Sequence, residues 1–175
     1  MDSSSLTPLI SSQKIQEKVA ELGQQITHDF QGKELVVVGV LRGSFIFMSD
    51  LVRHIQVPLQ CEFIQVMSYH DNKSTHQVKI VSDIPQSIQG KHVLLVEDIV
   101  DGGKTLRFLI KHLKSKKPAS LKISSLLYKE IDPKMRDSID YLGFTVPDEY
   151  IVGYGLDSHG YCRSLPELFI ENTKT

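Results

Sequence analysis

Apolar and polar positions follow two different periods along this chain. Ile15, Val19, Leu22, Ile26 and Phe30 recur every three to four positions. That spacing lays one apolar stripe along a helix, with Ser11 or Ser12 as N-cap and Gly32 as the stop. Residues 35–40 and 92–96 are instead continuous apolar runs, as in strands covered on both faces. Residues 59–67, which include Cys61, Phe63, Ile64 and Val66, and residues 120–128 read as further strands. Shorter strands are expected over 78–81 and 150–154, and helices over 45–55 and 106–113. Lys116-Lys117-Pro118 ends the second of these helices. Residues 68–77 are polar and poorly patterned, which predicts a loop, and 131–138 predict irregular chain. Strands alternating with helices give an α/β domain with a mainly parallel sheet.

The segment that starts at His92 carries the candidate chemistry. Its apolar run meets Glu97 and Asp98, read here as an acidic turn that closes the strand. Asp101, Gly102, Gly103, Lys104 and Thr105 follow, and then apolar residues at helical spacing. This order gathers carboxylates and bare backbone N–H groups at the carboxyl end of a sheet, where open α/β sheets bind ligands. Glycine lets the backbone approach an anion, and a helix N-terminus adds donors. Three acids within five residues repel one another unless a ligand or cation offsets them. A ribose phosphate with a magnesium ion meets that requirement. Gly103-Lys104-Thr105 does not make a P-loop, because Asp98 stands where that motif needs its first glycine. No dinucleotide fingerprint follows either apolar run.

Composition narrows the reading further. At 175 residues the chain suits a single domain, here taken as 1–175, with a real core. A formal net charge of −1 gives no basic surplus for nucleic acid. Cys61 and Cys162 show neither metal spacing nor a disulfide framework, which favours a reducing, cytoplasmic setting. Residues 1–7 are Ser-rich with no signal-peptide core, and no apolar run is long enough to span a membrane. Residues 3–5 and 172–175 read as loose ends.

Val96-Glu97-Asp98-Ile99-Val100-Asp101-Gly102-Gly103-Lys104-Thr105 resembles the phosphoribosyl-pyrophosphate (PRPP) motif of type I phosphoribosyltransferases. Other segments agree in order with the hypoxanthine-guanine phosphoribosyltransferase family. Val40-Leu41-Arg42-Gly43-Ser44 is similar to its pyrophosphate loop, with Arg42 where Lys is usual. Met67-Ser68-Tyr69 resembles the start of its flexible catalytic loop, and Leu126-Leu127-Tyr128-Lys129 the segment with its purine-recognising lysine. Pro147-Asp148-Glu149-Tyr150-Ile151-Val152-Gly153-Tyr154-Gly155-Leu156-Asp157 resembles its purine-binding hood, and Tyr161-Cys162-Arg163 its downstream arginine.

The resemblance implies a type I phosphoribosyltransferase fold: α/β, with a mainly parallel central sheet flanked by helices. It also implies a small hood subdomain formed by the N- and C-terminal segments. The implied reaction belongs to purine salvage: PRPP and hypoxanthine or guanine give IMP or GMP and pyrophosphate, with Mg2+ as cofactor. Asp101 would take a proton from purine N7, Lys129 would donate to the purine O6, and Arg163 would grip the pyrophosphate. Glu97 and Asp98 would accept from the ribose hydroxyls, directly or through a metal, and Asp157 would hold a second magnesium. Gly102, Gly103, Lys104 and Thr105 would hold the 5′-phosphate. The family usually has Thr or Ser where Gly102 stands, so one hydroxyl donor is absent.

Leu41, Arg42 and Gly43 would bind pyrophosphate, with the Leu41–Arg42 peptide cis. Tyr150 would stack on the purine, and Ile151 would meet it through its main chain. Ser68 and Tyr69 would ride on a lid that excludes water. Family members form homodimers or homotetramers. Two other readings use the same loop: a PRPP-binding regulatory protein, or a transferase that prefers xanthine.

Overall fold

A computed structural model of the chain describes residues 6–70, 76–131 and 133–172. Two sheets share the elements. The larger has six strands, in the order β4-β3-β2-β5-β6-β7. These are β2 (Leu35–Leu41), β3 (Leu59–His70), β4 (His76–Ser82), β5 (His92–Val100), β6 (Ser120–Lys129) and β7 (Tyr141–Val146). All neighbours pair in parallel except β3 and β4. The helices are α1 (Ser12–Asp29), α2 (Phe45–Arg53), α3 (Lys104–Ser115) and the single turn α4 (Pro133–Arg136).

Burial on both faces explains the continuous apolar runs. Val37, Leu94 and Val96 face a core shared with α1 and α2, whose Ile15, Leu22, Phe47 and Leu51 are fully buried. Val36, Val38, Val93 and Leu95 turn the other way, toward Leu106, Leu109 and Leu113 of α3. Ser11 caps α1 by accepting from the Lys14 N–H at 3.4 Å.

Four expectations need correction. The central strand does not close at Glu97: β5 runs to Val100, and Glu97, Ile99 and Val100 pair with Ser125, Leu127 and Tyr128 of β6. Backbone pairing continues there because the acidic side chains have a cleft to enter. Residues 68–77 do not form a loop in their described parts. β3 extends through His70 and β4 begins at His76, with Ser68, Tyr69 and His70 opposite Val78, Gln77 and His76. An antiparallel edge ladder needs no apolar side chains to persist. Residues 71–75 of the proposed lid lie outside the described residues. Within 131–138, residues Pro133–Arg136 form a helical turn, which sets Met135 into the core under α3. The expected strand over 150–154 is only two residues long, β8 (Ile151–Val152).

β8 belongs to a second, antiparallel sheet, ordered β1-β9-β8. Its other strands, β1 (Leu6–Ile10) and β9 (Leu168–Glu171), come from the two ends of the chain. Leu168 and Ile151 bury against the α1–α2 core. The Tyr154 hydroxyl donates to Asp50 of α2 at 2.6 Å, while Gln16 of α1 donates to the same carboxylate oxygen at 2.9 Å. These bonds tie the chain after β8 to both helices and suspend residues 153–163 above the carboxyl ends of β2 and β5.

Candidate active site

A cleft of about 300 Å³ opens at that edge. Its walls are the turn after β2, the end of β5 with the loop into α3, and the segment carrying Asp157 and Arg163.

The turn at Leu41, Arg42 and Gly43 is held closely from several sides. The Leu41–Arg42 peptide is cis. The buried Ser44 hydroxyl donates to the Val40 carbonyl at 2.7 Å and closes the turn from below. A Cβ on Gly43 would stand 1.5 Å from Oδ2 of Asp98, so the carboxylate occupies the space that the missing side chain leaves. A Cβ on Gly155 would meet the Gly43 carbonyl oxygen at 2.1 Å. The turn is therefore clasped between the end of β5 and the chain after β8.

Glu97 and Asp98 are neighbours on β5, and Glu97 is almost fully buried, at 4% exposure. Burial, and then the charge of Asp98, push the Glu97 carboxyl well above the usual range. Asp98 is pushed up to about 6, chiefly by burial and also by Asp157; backbone N–H groups and Arg163 pull the other way. Carboxylates forced together against their own repulsion favour a bound cation.

Beyond β5 the chain turns through Gly102 and Gly103, both left-handed at φ +59° and +69°. Gly103 is the N-cap of α3, and no side chain caps that helix. Its first N–H groups therefore open toward the cleft beside Thr105. Lys104 starts α3 but is exposed and does not line the cleft. A Cβ on Gly102 would meet nothing within 4 Å.

Lys129 ends β6, and its ammonium lies 3.0 Å from Asp101 and 3.2 Å from Asp148. Burial opposes its charge, but the two carboxylates prevail and raise its affinity for the proton. Arg163 pairs with Asp157 at 2.5 Å and donates to the Gly155 carbonyl at 2.6 Å. Tyr150 is half exposed, and its hydroxyl donates to the Asp157 carbonyl at 3.1 Å. The Ile151 side chain is buried in the core, which leaves its main chain for any contact. Ser68 and Tyr69 belong to β3 by backbone, and their side chains lie outside the described residues.

Leu41, Arg42, Gly43, Glu97, Asp98, Asp101, Gly103, Thr105, Asp157 and Arg163 thus meet around one cleft. Lys129 joins through Asp101, and Tyr150 through Asp157. Two contributors were not singled out from the sequence. Asp148 sits just after a strand, a position that is a usable sequence signal for a residue at a sheet's edge. Gly155 acts by close approach to another turn, which a linear reading does not show.

The donor set suits a hard cation such as magnesium, because every candidate ligand is a carboxylate oxygen. Among the described residues no three His, Cys, Asp or Glu side chains form a ready-made metal group. That agrees with an ion that takes one or two carboxylates and completes its shell with substrate oxygens and water.

This fold and cleft define the class, and the sequence comparison agrees: residues 8–159 match the phosphoribosyl transferase domain, and the chain belongs to that family. The chain is 46% identical over 153 residues to the hypoxanthine phosphoribosyltransferase of Haemophilus influenzae, covering 85% of this chain and 86% of that protein. A crystal structure of a Staphylococcus aureus hypoxanthine phosphoribosyltransferase superposes with a TM-score of 0.90 at 41% identity, covering 98% of this chain and 96% of that one. The chain also matches the bifunctional protein TilS/HprT of Listeria innocua at 42% identity, over 93% of its own length but only 25% of that longer protein.

Proposed function

We propose that this chain transfers the 5-phosphoribosyl group of PRPP to hypoxanthine or guanine, giving IMP or GMP and pyrophosphate. The observation that carries the reading is the meeting, in one cleft, of the Asp101 carboxylate and the uncapped start of α3, with the Lys129 ammonium paired to Asp101.

The α3 N–H groups and the Thr105 hydroxyl hold the 5′-phosphate. Glu97 and Asp98 accept from the ribose hydroxyls, which fixes the sugar with C1′ facing the purine. The Lys129 ammonium donates to O6; a 6-amino group would offer it donors instead, which selects oxo purines. Purine N9 bonds to C1′ as the bond from C1′ to the pyrophosphate oxygen breaks. The N7 proton passes to Asp101, whose carboxylate is free to receive it once O6 has taken its place on Lys129. Arg42 backbone groups and Arg163 grip the departing pyrophosphate. Glu97 and Asp98 would hold Mg2+ on the ribose side and Asp157 a second Mg2+ on the pyrophosphate side, where the metal would supply charge neutralisation for the leaving group.

The β1-β9-β8 sheet acts as the hood that presents Tyr150 and Ile151 to the base. Phe63 and Met67 of β3 and Val81 of β4 are all more than two-fifths exposed, an apolar edge that suits a homodimer. The chain works in the cytoplasm; among the described residues no helix is long and apolar enough to cross a membrane.

The test is a panel of free bases with PRPP and Mg2+. Release of IMP or GMP is expected, with adenine inert. No turnover on any 6-oxopurine refutes the function. Asp101→Asn must cut kcat far more than it changes PRPP binding; equal losses would remove Asp101 from proton transfer.

A further inference from the structure

The Lys129 ammonium is held between two carboxylates, of which the mechanism uses one. Asp148 lies 3.2 Å from it, and no step of the proposed reaction requires it. Its position follows from the sheet. Lys129, the last residue of β6, pairs with Val146, the last residue of β7. Asp148 stands two residues beyond that partner, in a tight turn whose Glu149 N–H donates to the Pro147 carbonyl at 2.9 Å. Strand register and a proline-led turn therefore bring the carboxylate over the end of β6. Tyr150 follows two residues later.

We infer that Asp148 is a positioning residue for purine recognition. An ammonium on a four-carbon stem has three donors and much rotamer freedom. In the ligand-free cleft Asp101 and Asp148 hold it together. When a purine arrives, O6 takes the place of Asp101 on the ammonium, and Asp101 turns to N7. Asp148 then remains as the anchor that keeps the ammonium aimed at the 6-oxo edge. Exposed ion pairs generally contribute little, but this pair is asymmetric. The Asp148 side chain is 70% exposed while that of Lys129 is only 10% exposed, so the buried partner depends on the exposed one. Removing Asp148 leaves a largely desolvated ammonium with no carboxylate beside it once Asp101 has moved to N7.

The inference rests on the proposed transferase reading, and the experiment separates the two. Asp148→Asn keeps the shape and removes the charge; Asp148→Glu restores the charge on a longer arm. Steady-state kinetics with PRPP, hypoxanthine and Mg2+ are measured for the parent and both variants. KM for hypoxanthine should rise about tenfold in Asp148→Asn, with KM for PRPP changed less than about twofold. Asp148→Glu should recover most of the loss, and thermal midpoints should coincide because the side chain is exposed. A parental KM for hypoxanthine in Asp148→Asn overturns the inference. So does an equal rise in both KM values, or a glutamate variant as impaired as the asparagine one. Parental turnover with an indifferent Asp148→Asn sinks this assignment alone; a parent inert on every 6-oxopurine sinks the transferase reading and this with it.

Discussion

Replacing Gly43 by alanine tests whether the turn after β2 and the end of β5 form one unit. The added Cβ would stand 1.5 Å from Oδ2 and 2.4 Å from Cγ of Asp98. Real Cβ contacts stay beyond 3.0 Å, so the carboxylate must retreat by about 1.5 Å. The backbone has no reason to resist, since Gly43 lies outside the left-handed region. The obstructing atoms are the far end of a side chain that can rotate. Misplacing a catalytic group by about 1 Å can cost about 100-fold in rate. Gly43→Ala should therefore lower kcat/KM by about 100-fold, or about 2.7 kcal/mol of transition-state stabilisation, with unfolding free energy lowered by only about 1 kcal/mol.

Initial rates with PRPP and hypoxanthine, beside urea unfolding followed by circular dichroism, read both quantities. Gly155→Ala is the control. Its Cβ would meet the backbone oxygen of Gly43 at 2.1 Å, at a residue whose φ is +105°. Stability should fall there by about 2 kcal/mol or more, together with activity. A Gly43→Ala enzyme with parental kcat/KM refutes the coupling of turn and carboxylate. A large loss of stability in Gly43→Ala refutes it too, because the backbone would then have given way instead of the Asp98 side chain.

Tyr154→Phe removes the 2.6 Å bond to Asp50 and should cost about 1–2 kcal/mol in urea unfolding, since Asp50 keeps, among the described residues, only the Gln16 amide; an unchanged midpoint would show that the segment after β8 is held by packing alone. Asp83 is held below the usual carboxylate range: burial opposes this, but Lys116 and His112 outweigh it. The folded state thus binds this proton less readily than the unfolded one, so the bridge stabilises above the ordinary aspartate value of 3.8 and its effect fades as pH falls below it. Asp83→Asn should be less stable than the parent at pH 6, by under about 1 kcal/mol because the pair is partly exposed, and the gap should close near pH 2; a gap that widens in acid would reverse the assignment. Chelation of divalent ions should abolish turnover while far-ultraviolet circular dichroism stays unchanged, and readdition of Mg2+ should restore it.

The legible parts of the fold are those set by local period. α1 and β2 could be read because each completes its own apolar stripe or run within a few residues. β7 could not, and Gly143 shows why. A Cβ there would stand 2.4 Å from the Leu126 carbonyl oxygen, so the strand must carry glycine to lie beside β6, and glycine breaks the strand signal. β1 and β9 were missed for a different reason: Leu6–Ile10 contains Pro8 and pairs with residues at the far end of the chain, which no window covers. In the cleft, residues contiguous in sequence were readable as a motif, because loop chemistry is local. The partnership of Lys129 with Asp148 was not, because it depends on where β6 and β7 come into register.

The charges of the cleft explain how so acidic a site could serve the proposed polyphosphate substrate. Glu97, Asp98, Asp101 and Asp157 line it against Arg42 and Arg163, with Lys129 and Asp148 joined to it through Asp101. Acids outnumber cations, and the burial of Glu97 and Asp98 sharpens their repulsion. An anionic substrate alone would meet a field of its own sign, and a bare cation would find no three-carboxylate cage among the described residues. Under the proposed function each would admit the other: a sugar pyrophosphate would bring oxygens that complete a magnesium shell, and magnesium would bring the charge that the acids demand. The two principal cations are already occupied, Arg163 by Asp157 and Lys129 by Asp101. Substrate binding therefore exchanges existing ion pairs instead of creating charge contacts from water, so the cleft selects for partners that can replace both carboxylates at once.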